Sequence, residues 1–297
     1  LTPNHIHVIL NCMLTAEPVG NRISMWGEGP VWYQSELTYV DINGKAIACY
    51  NPTTGNEREY HLDQNVGFAV PSRPGKWIYG GNDGLFSFDM KSGESVALHD
   101  PEPEMTESRF NDGKTAPDGK LFAGTMCPKT DPGKAKLYHI GKNGSCKVAY
   151  EPVTTSNGLA WSADLKTLYY IDTPSKEIKA FDYDSNTGSI SNPRQAIDTS
   201  DDPTSPDGMC IDADDNLWVA FCHGGCVKQF DPNASKLIQK IDVPALETTS
   251  CAFGGESGSD LYVTTGIHKT EQEEFGGSLF VIRDTGTHAP PAVPFTE

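Results

Sequence analysis

Glu28, Asp112, Asn157 and Asp207 each stand immediately before a glycine, at Gly29, Gly113, Gly158 and Gly208. Two further steps of the same kind, NVGFAV from Asn65 and TSCAFG from Thr249, set Val66 and Ser250 before Gly67 and Cys251. Three carboxylates and one amide are hard oxygen donors, the ligand chemistry of calcium or magnesium. Positions so far apart in the chain can serve one ion only if the fold returns each of them to the same place.

The spacing supplies such a fold. From Gly29 through Gly67, Gly113, Gly158 and Gly208 to Cys251 the intervals are 38, 46, 45, 50 and 43 residues. Four short strands with their turns need about 40 to 45 residues, the size of one propeller blade. The fourth repeat reads GLAWS, TLYYID and IKAFDYD, with ADLK, TPSKE and SNTG between and after them. Its strands alternate or run apolar and its separators carry turn residues. Helical periodicity is absent, so residues 1–297 are expected to form a single all-β domain, a six-bladed β-propeller with four-stranded blades and a central metal site. Equivalent positions then lie at one height around one axis. Closure requires the first and last blades to share strands, and the segment from His5 to Leu14 is expected to complete the final sheet and remove its edge. The stretch from Asp284, with HAPPAVP, reads as a loosely packed tail.

Composition narrows the partners. Lys plus Arg is 23 and Asp plus Glu is 40, a formal net charge of −17. Such a chain repels phosphate backbones and anionic lipid and attracts cations, so neither nucleic acid nor membrane is an expected partner. No stretch approaches the roughly 20 apolar residues of a membrane helix. The start, LTPNHIHVILNCML, lacks the basic flank and cleavage site of a signal peptide and reads as a strand. Eight cysteines without a CxxC pair read as reduced thiols of a cytoplasmic protein. Cys222 and Cys226 flank His223 and could be imagined as zinc ligands, but their spacing fits a hairpin and no second pair matches. No HExxH, GxSxG or phosphate-loop pattern occurs, leaving nucleophile-and-base hydrolysis without its usual signature. Three loops, Leu98 to Ser108, Ile197 to Pro206 and Gly266 to Gly277, are acidic. They are either solvated or shape the substrate mouth.

The segments GEGPVW, RFNDGK with FAGTM, SNGLAWS with YYID and FDYD, PDGMCIDADDNLWVA and TSCAFGG occur in that order. In them the chain resembles, from about residue 5 to 283, the family of regucalcin (senescence marker protein), the gluconolactonases and the insect luciferin-regenerating enzymes. The resemblance implies a six-bladed propeller with one axial divalent metal held by Glu28, Asn157 and Asp207. Calcium is the first expectation, and magnesium, manganese or zinc would also accept such ligands. It further implies that Arg109 and Asn111 orient a small-molecule substrate, unless Arg109 pairs instead with Glu104 or Glu107. Asp112 either orients Asn111 or a water, or caps its strand.

The activity implied is opening of a sugar-acid lactone. The metal would polarise the carbonyl, Asp207 would act as general base as well as ligand, and Arg109 would help hold the oxyanion. One departure stands out: after FAGTM, where sugar lactonases of this kind continue with acidic residues, the chain reads Cys127, Pro128, Lys129. Lys129 would bring a donor to the substrate pocket where an acceptor is expected. Other readings on the same site are a non-catalytic calcium-binding regulatory protein, phosphoester hydrolysis and luciferin recycling.

Overall fold

A computed structural model describes residues 13–127, 132–141, 144–270 and 272–296. Among them run six antiparallel four-stranded sheets. The innermost strands are Gly27–Tyr33, Val66–Arg73, Arg109–Thr115, Ser156–Trp161, Ser205–Ile211 and Thr248–Gly254. Each contains one of the six repeated steps, so the period read from the sequence is the blade period. Sheets pack face to face through apolar clusters shared by neighbouring blades. Between the fourth and fifth, for example, Tyr169, Ile171 and Ile178 meet Met209, Leu217 and Phe221.

Every innermost strand loses regular pairing with the next strand at the same place. The register shifts fall between Glu28 and Val31, Val66 and Phe68, Phe110 and Asp112, Ser156 and Leu159, Pro206 and Met209, and Thr248 and Ser250. A bulge rotates the residue it frees. In the fourth and fifth blades the freed stretch is Asn157 with Gly158 and Asp207 with Gly208, whereas Glu28 and Asp112 keep their partners Val40 and Gly124 at the edge of the shift. The glycine itself is demanded by crowding. A Cβ on Gly208 would lie 2.0 Å from Ser250 Oγ, and one on Gly158 would lie 2.7 Å from the Asp207 carbonyl oxygen. Adjacent innermost strands therefore approach one another more closely than a side chain permits.

Ring closure uses a different segment from the one expected. Ala16–Val19 forms the outermost strand of the last sheet and pairs with Leu279–Ile282 in the register Ala16 to Ile282. Pro18 sits in this outermost position, where a missing backbone donor is tolerated. Of the predicted strand His5 to Leu14, residues 5–12 lie outside the described residues. Leu14 packs beside the core of the last two blades without entering the sheet.

The tail corrects a second expectation. Far from being loose, it crosses the end of the propeller where the innermost strands finish. Phe295 is buried, its N–H donates to the Pro71 carbonyl at 2.7 Å, and Thr296 N–H donates to the Gly119 carbonyl at 3.1 Å. Ala289 and Ala292 join the clusters of two different blades. Proline is what makes this docking inexpensive, since a chain already restricted in φ loses less entropy on ordering. Burial of Phe295 adds about 2 kcal/mol. An apolar cavity of about 160 Å³ remains between the strap and strand ends such as Trp32, Val70, Trp161 and Phe253.

Candidate metal centre and cavity

On the innermost strands, Glu28, Asp112 and Asp207 lie close enough to feel one another's charge, and Asn157 stands at the equivalent step of its own blade. Glu28, Asn157 and Asp207 are buried, 4%, 4% and 5% exposed. Glu28 Oε2 accepts the Gly29 N–H at 2.8 Å. Asn157 is oriented by its amide nitrogen, which donates to Thr173 Oγ1 at 2.9 Å, and that hydroxyl donates to the Pro206 carbonyl at 2.9 Å. This chain ties Asn157 to the residue preceding Asp207. It leaves Asn157 Oδ1 and Asp207 Oδ1 buried without a hydrogen-bond partner. Two orphaned oxygens in one buried site are costly unless something complements them.

The electrostatics point the same way. Burial raises the Glu28 carboxyl well above the ordinary range, and the charges of Asp207 and then Asp112 raise it further. Asp207 is likewise raised well above its usual value by burial and then by Asp112, against hydrogen bonds from Cys222 and Glu28 that favour the charged form. Asp112, whose Oδ1 accepts the Gly113 N–H at 2.7 Å, is also raised by burial, with Lys114 opposing. Three mutually repelling carboxyl groups beside two free oxygens fit a hard divalent cation held by Glu28, Asn157 and Asp207.

Above this set opens a cavity of about 450 Å³ whose lining includes Trp26, Arg109, His223, Glu247, His268 and Lys269. It adjoins the carboxylates through Arg109, which feels the charge of Glu28, and through Glu247, whose charge reaches Asp207. Burial pushes the Arg109 guanidinium down to about 10, with Glu28 opposing, so it remains a cation at neutral pH. Its Nη1 donates to Asn111 Oδ1 at 2.8 Å and to the Phe110 carbonyl at 2.9 Å. Asn111 Nδ2 donates to the Ser156 carbonyl at 2.7 Å. Asn111 thus braces Arg109 and spans the third and fourth innermost strands. Lys129 lies outside the described residues.

Of the acidic loops, Gly266 to Gly277 reaches the cavity, through His268, Lys269 and Thr270. The loop around Asp202 pairs instead with Lys228. Trp26, Glu247 and His268 escaped sequence reasoning, and His223 entered it only as an imaginable zinc ligand with Cys222 and Cys226. None belongs to the repeated step, and of the three missed only the loop containing His268 carried a signal, its acidity.

Comparison with known proteins agrees with this architecture. Residues 26–267 match the family model described as SMP-30/Gluconolactonase/LRE-like region. Regucalcin of Danio rerio is 36% identical over 279 residues, covering 91% of this chain and 94% of that protein. A luciferin-regenerating enzyme of known structure superposes with a TM-score of 0.89 at 29% identity, covering 96% of this chain and all of that one. A calcium-binding protein, regucalcin, from Agrobacterium tumefaciens shares the fold at a TM-score of 0.90 and 22% identity, covering 96% and 98%.

Proposed function

Because the chain belongs to the SMP-30/gluconolactonase/LRE-like family, we propose that it is a divalent-metal-dependent hydrolase that opens a sugar-acid lactone. The observation that carries this reading is the burial of Glu28, Asn157 and Asp207 together, with two unpartnered oxygens, beneath a cavity that holds the Arg109 cation. The family includes gluconolactonases by name, and calcium is the ion named for the Agrobacterium relative in the comparison above.

What the cation supplies when bound is Lewis acidity toward the lactone carbonyl. Asp207 takes a proton from the attacking water as the new C–O bond forms, and returns it to the ring oxygen as the old C–O bond breaks. A carboxylate whose basicity is raised by burial and by Asp112 suits that task. Arg109, held by Asn111 and the Phe110 carbonyl, presents remaining donors to the carbonyl oxygen or to substrate hydroxyls. Its fixed guanidinium is set before the charge develops, so little reorganisation accompanies the reaction.

The test is a pH-indicator assay with a panel of aldonolactones on chelator-treated protein, followed by re-addition of calcium, magnesium, manganese or zinc. Turnover is expected to vanish on chelation and return with at least one ion. Turnover that survives complete removal of metal contradicts the mechanism. Binding of calcium without turnover of any lactone would favour a regulatory binding protein instead.

A further inference from the structure

Cys222, His223 and Cys226 form a cluster of cysteine and histidine that the lactonase reading does not use. The fold divides the set. Phe221 pairs directly with Cys226 across the hairpin, so these two side chains share a sheet face, and both are buried in the core between the fourth and fifth blades. Cys222 follows Phe221 and therefore faces the other way. There it meets Glu247, a residue from just before the sixth innermost strand, whose side chain is 3% exposed.

Glu247 gathers four groups. Its Oε2 accepts from Cys222 Sγ at 3.1 Å and from the His223 backbone N–H at 3.2 Å. Its Oε1 lies 2.9 Å from His223 Nδ1 and 3.6 Å from His268 Nε2. The two imidazoles stand nearly perpendicular, with ring centroids 6.4 Å apart. His223 occupies the left-handed region at φ 62, unfavourable for a side chain of this size, in a turn that continues with Gly224 and Gly225. The ring is thus held over Glu247 at a conformational cost.

The donor atoms of Cys222, His223 and Glu247 all lie within 4.8 Å of one another. Zinc bonds of about 2.0–2.3 Å in tetrahedral geometry place donors roughly 3.3–3.8 Å apart, so small side-chain rotations close the set. We propose that Cys222, His223 and Glu247, with His268 as the fourth donor, form a second metal site in the wall of the cavity, suited to zinc. Its sulfur and nitrogen donors separate it from the all-oxygen set of Glu28, Asn157 and Asp207, which favours a harder ion. Binding forms an S–metal bond and releases the Cys222 thiol proton to solvent.

The probe is cobalt(II), added to chelator-treated protein whose axial site is first filled with excess calcium. A thiolate-to-cobalt absorption band is expected to saturate at one equivalent and to be displaced by zinc. The band disappears in Cys222→Ser, persists in Cys226→Ser and Asn157→Ala, and needs about tenfold or more cobalt in His223→Ala and Glu247→Gln. Far-ultraviolet circular dichroism establishes that each variant is folded, and His223→Ala and Glu247→Gln keep the test open if Cys222→Ser is not. Absence of a thiolate band in the folded wild-type protein overturns the proposal. So does a band that survives Cys222→Ser, or one lost in Asn157→Ala, which would assign the cobalt to the axial site.

Discussion

Asp207→Asn is expected to lower kcat for aldonolactone opening by about a thousandfold or more. The substitution removes the proton acceptor, for which general base catalysis alone accounts for about 10²–10⁴, and also replaces a charged member of the proposed three-residue ligand set by a neutral amide. The two losses can be separated by measuring rate against calcium concentration. Saturating calcium restores any part of the deficit that is weakened metal binding and leaves the part that is missing proton transfer. A variant that regains the full wild-type rate at high calcium would show that Asp207 serves as ligand only.

The second large effect is on stability, and its sign is opposite to that of an ordinary core substitution. In metal-free protein Glu28, Asp112 and Asp207 all have folded-state pKa values above those of the unfolded chain, through burial and mutual repulsion. Between the ordinary carboxyl value near 4 and the raised folded values, the native state therefore holds more protons than the unfolded state. Their stabilising protonation is complete at low pH and is lost as pH rises through the folded values. Chelated wild-type protein should thus melt at progressively lower temperature as pH rises above the ordinary carboxyl value near 4. Glu28→Gln removes one of the three charges, so in chelator, at a pH where the wild-type carboxyl groups are losing their protons, its Tm should rise by on the order of 3 °C, the shift about 1 kcal/mol produces in a large domain. It should also flatten the pH slope. With calcium present the order reverses, because the wild type gains about 2.7 kcal/mol at a hundredfold excess over its Kd and the more weakly binding variant gains less. Differential scanning calorimetry with and without chelator checks both halves. A Glu28→Gln protein that is less stable than wild type in chelator would mean that the carboxyl groups are not in conflict.

The blade period and the residues at its repeated position were legible in the sequence because both follow from local constraints. The bulges of the fourth and fifth blades need a glycine where adjacent innermost strands crowd, at Gly158 and Gly208, and the residue before that glycine leaves strand alternation. Glu28, Asn157 and Asp207 could therefore be found by register alone, and the family resemblance selected them from four candidates. What could not be read depends on contacts between distant segments. Glu247 reaches the cavity from a loop with no recurring motif, and its partners Cys222 and His268 come from the fifth and sixth blades. The prolines of the tail argue correctly against a ladder strand, yet they do not reveal that Ala289, Ala292 and Phe295 would find apolar seats at the strand ends. Asn111 was recognisable as part of the site, but its use as a brace between Arg109 and the Ser156 carbonyl is visible only once the third and fourth blades are adjacent.

The central claim is that Glu28, Asn157 and Asp207 share one cation. Isothermal titration of chelator-treated protein with calcium measures it directly. One site per chain is expected, with affinity reduced by at least about tenfold in each of Glu28→Gln, Asn157→Ala and Asp207→Asn. Undiminished calcium affinity in any one of these folded variants, or no calcium, magnesium, manganese or zinc binding at all by the wild type, would contradict the account.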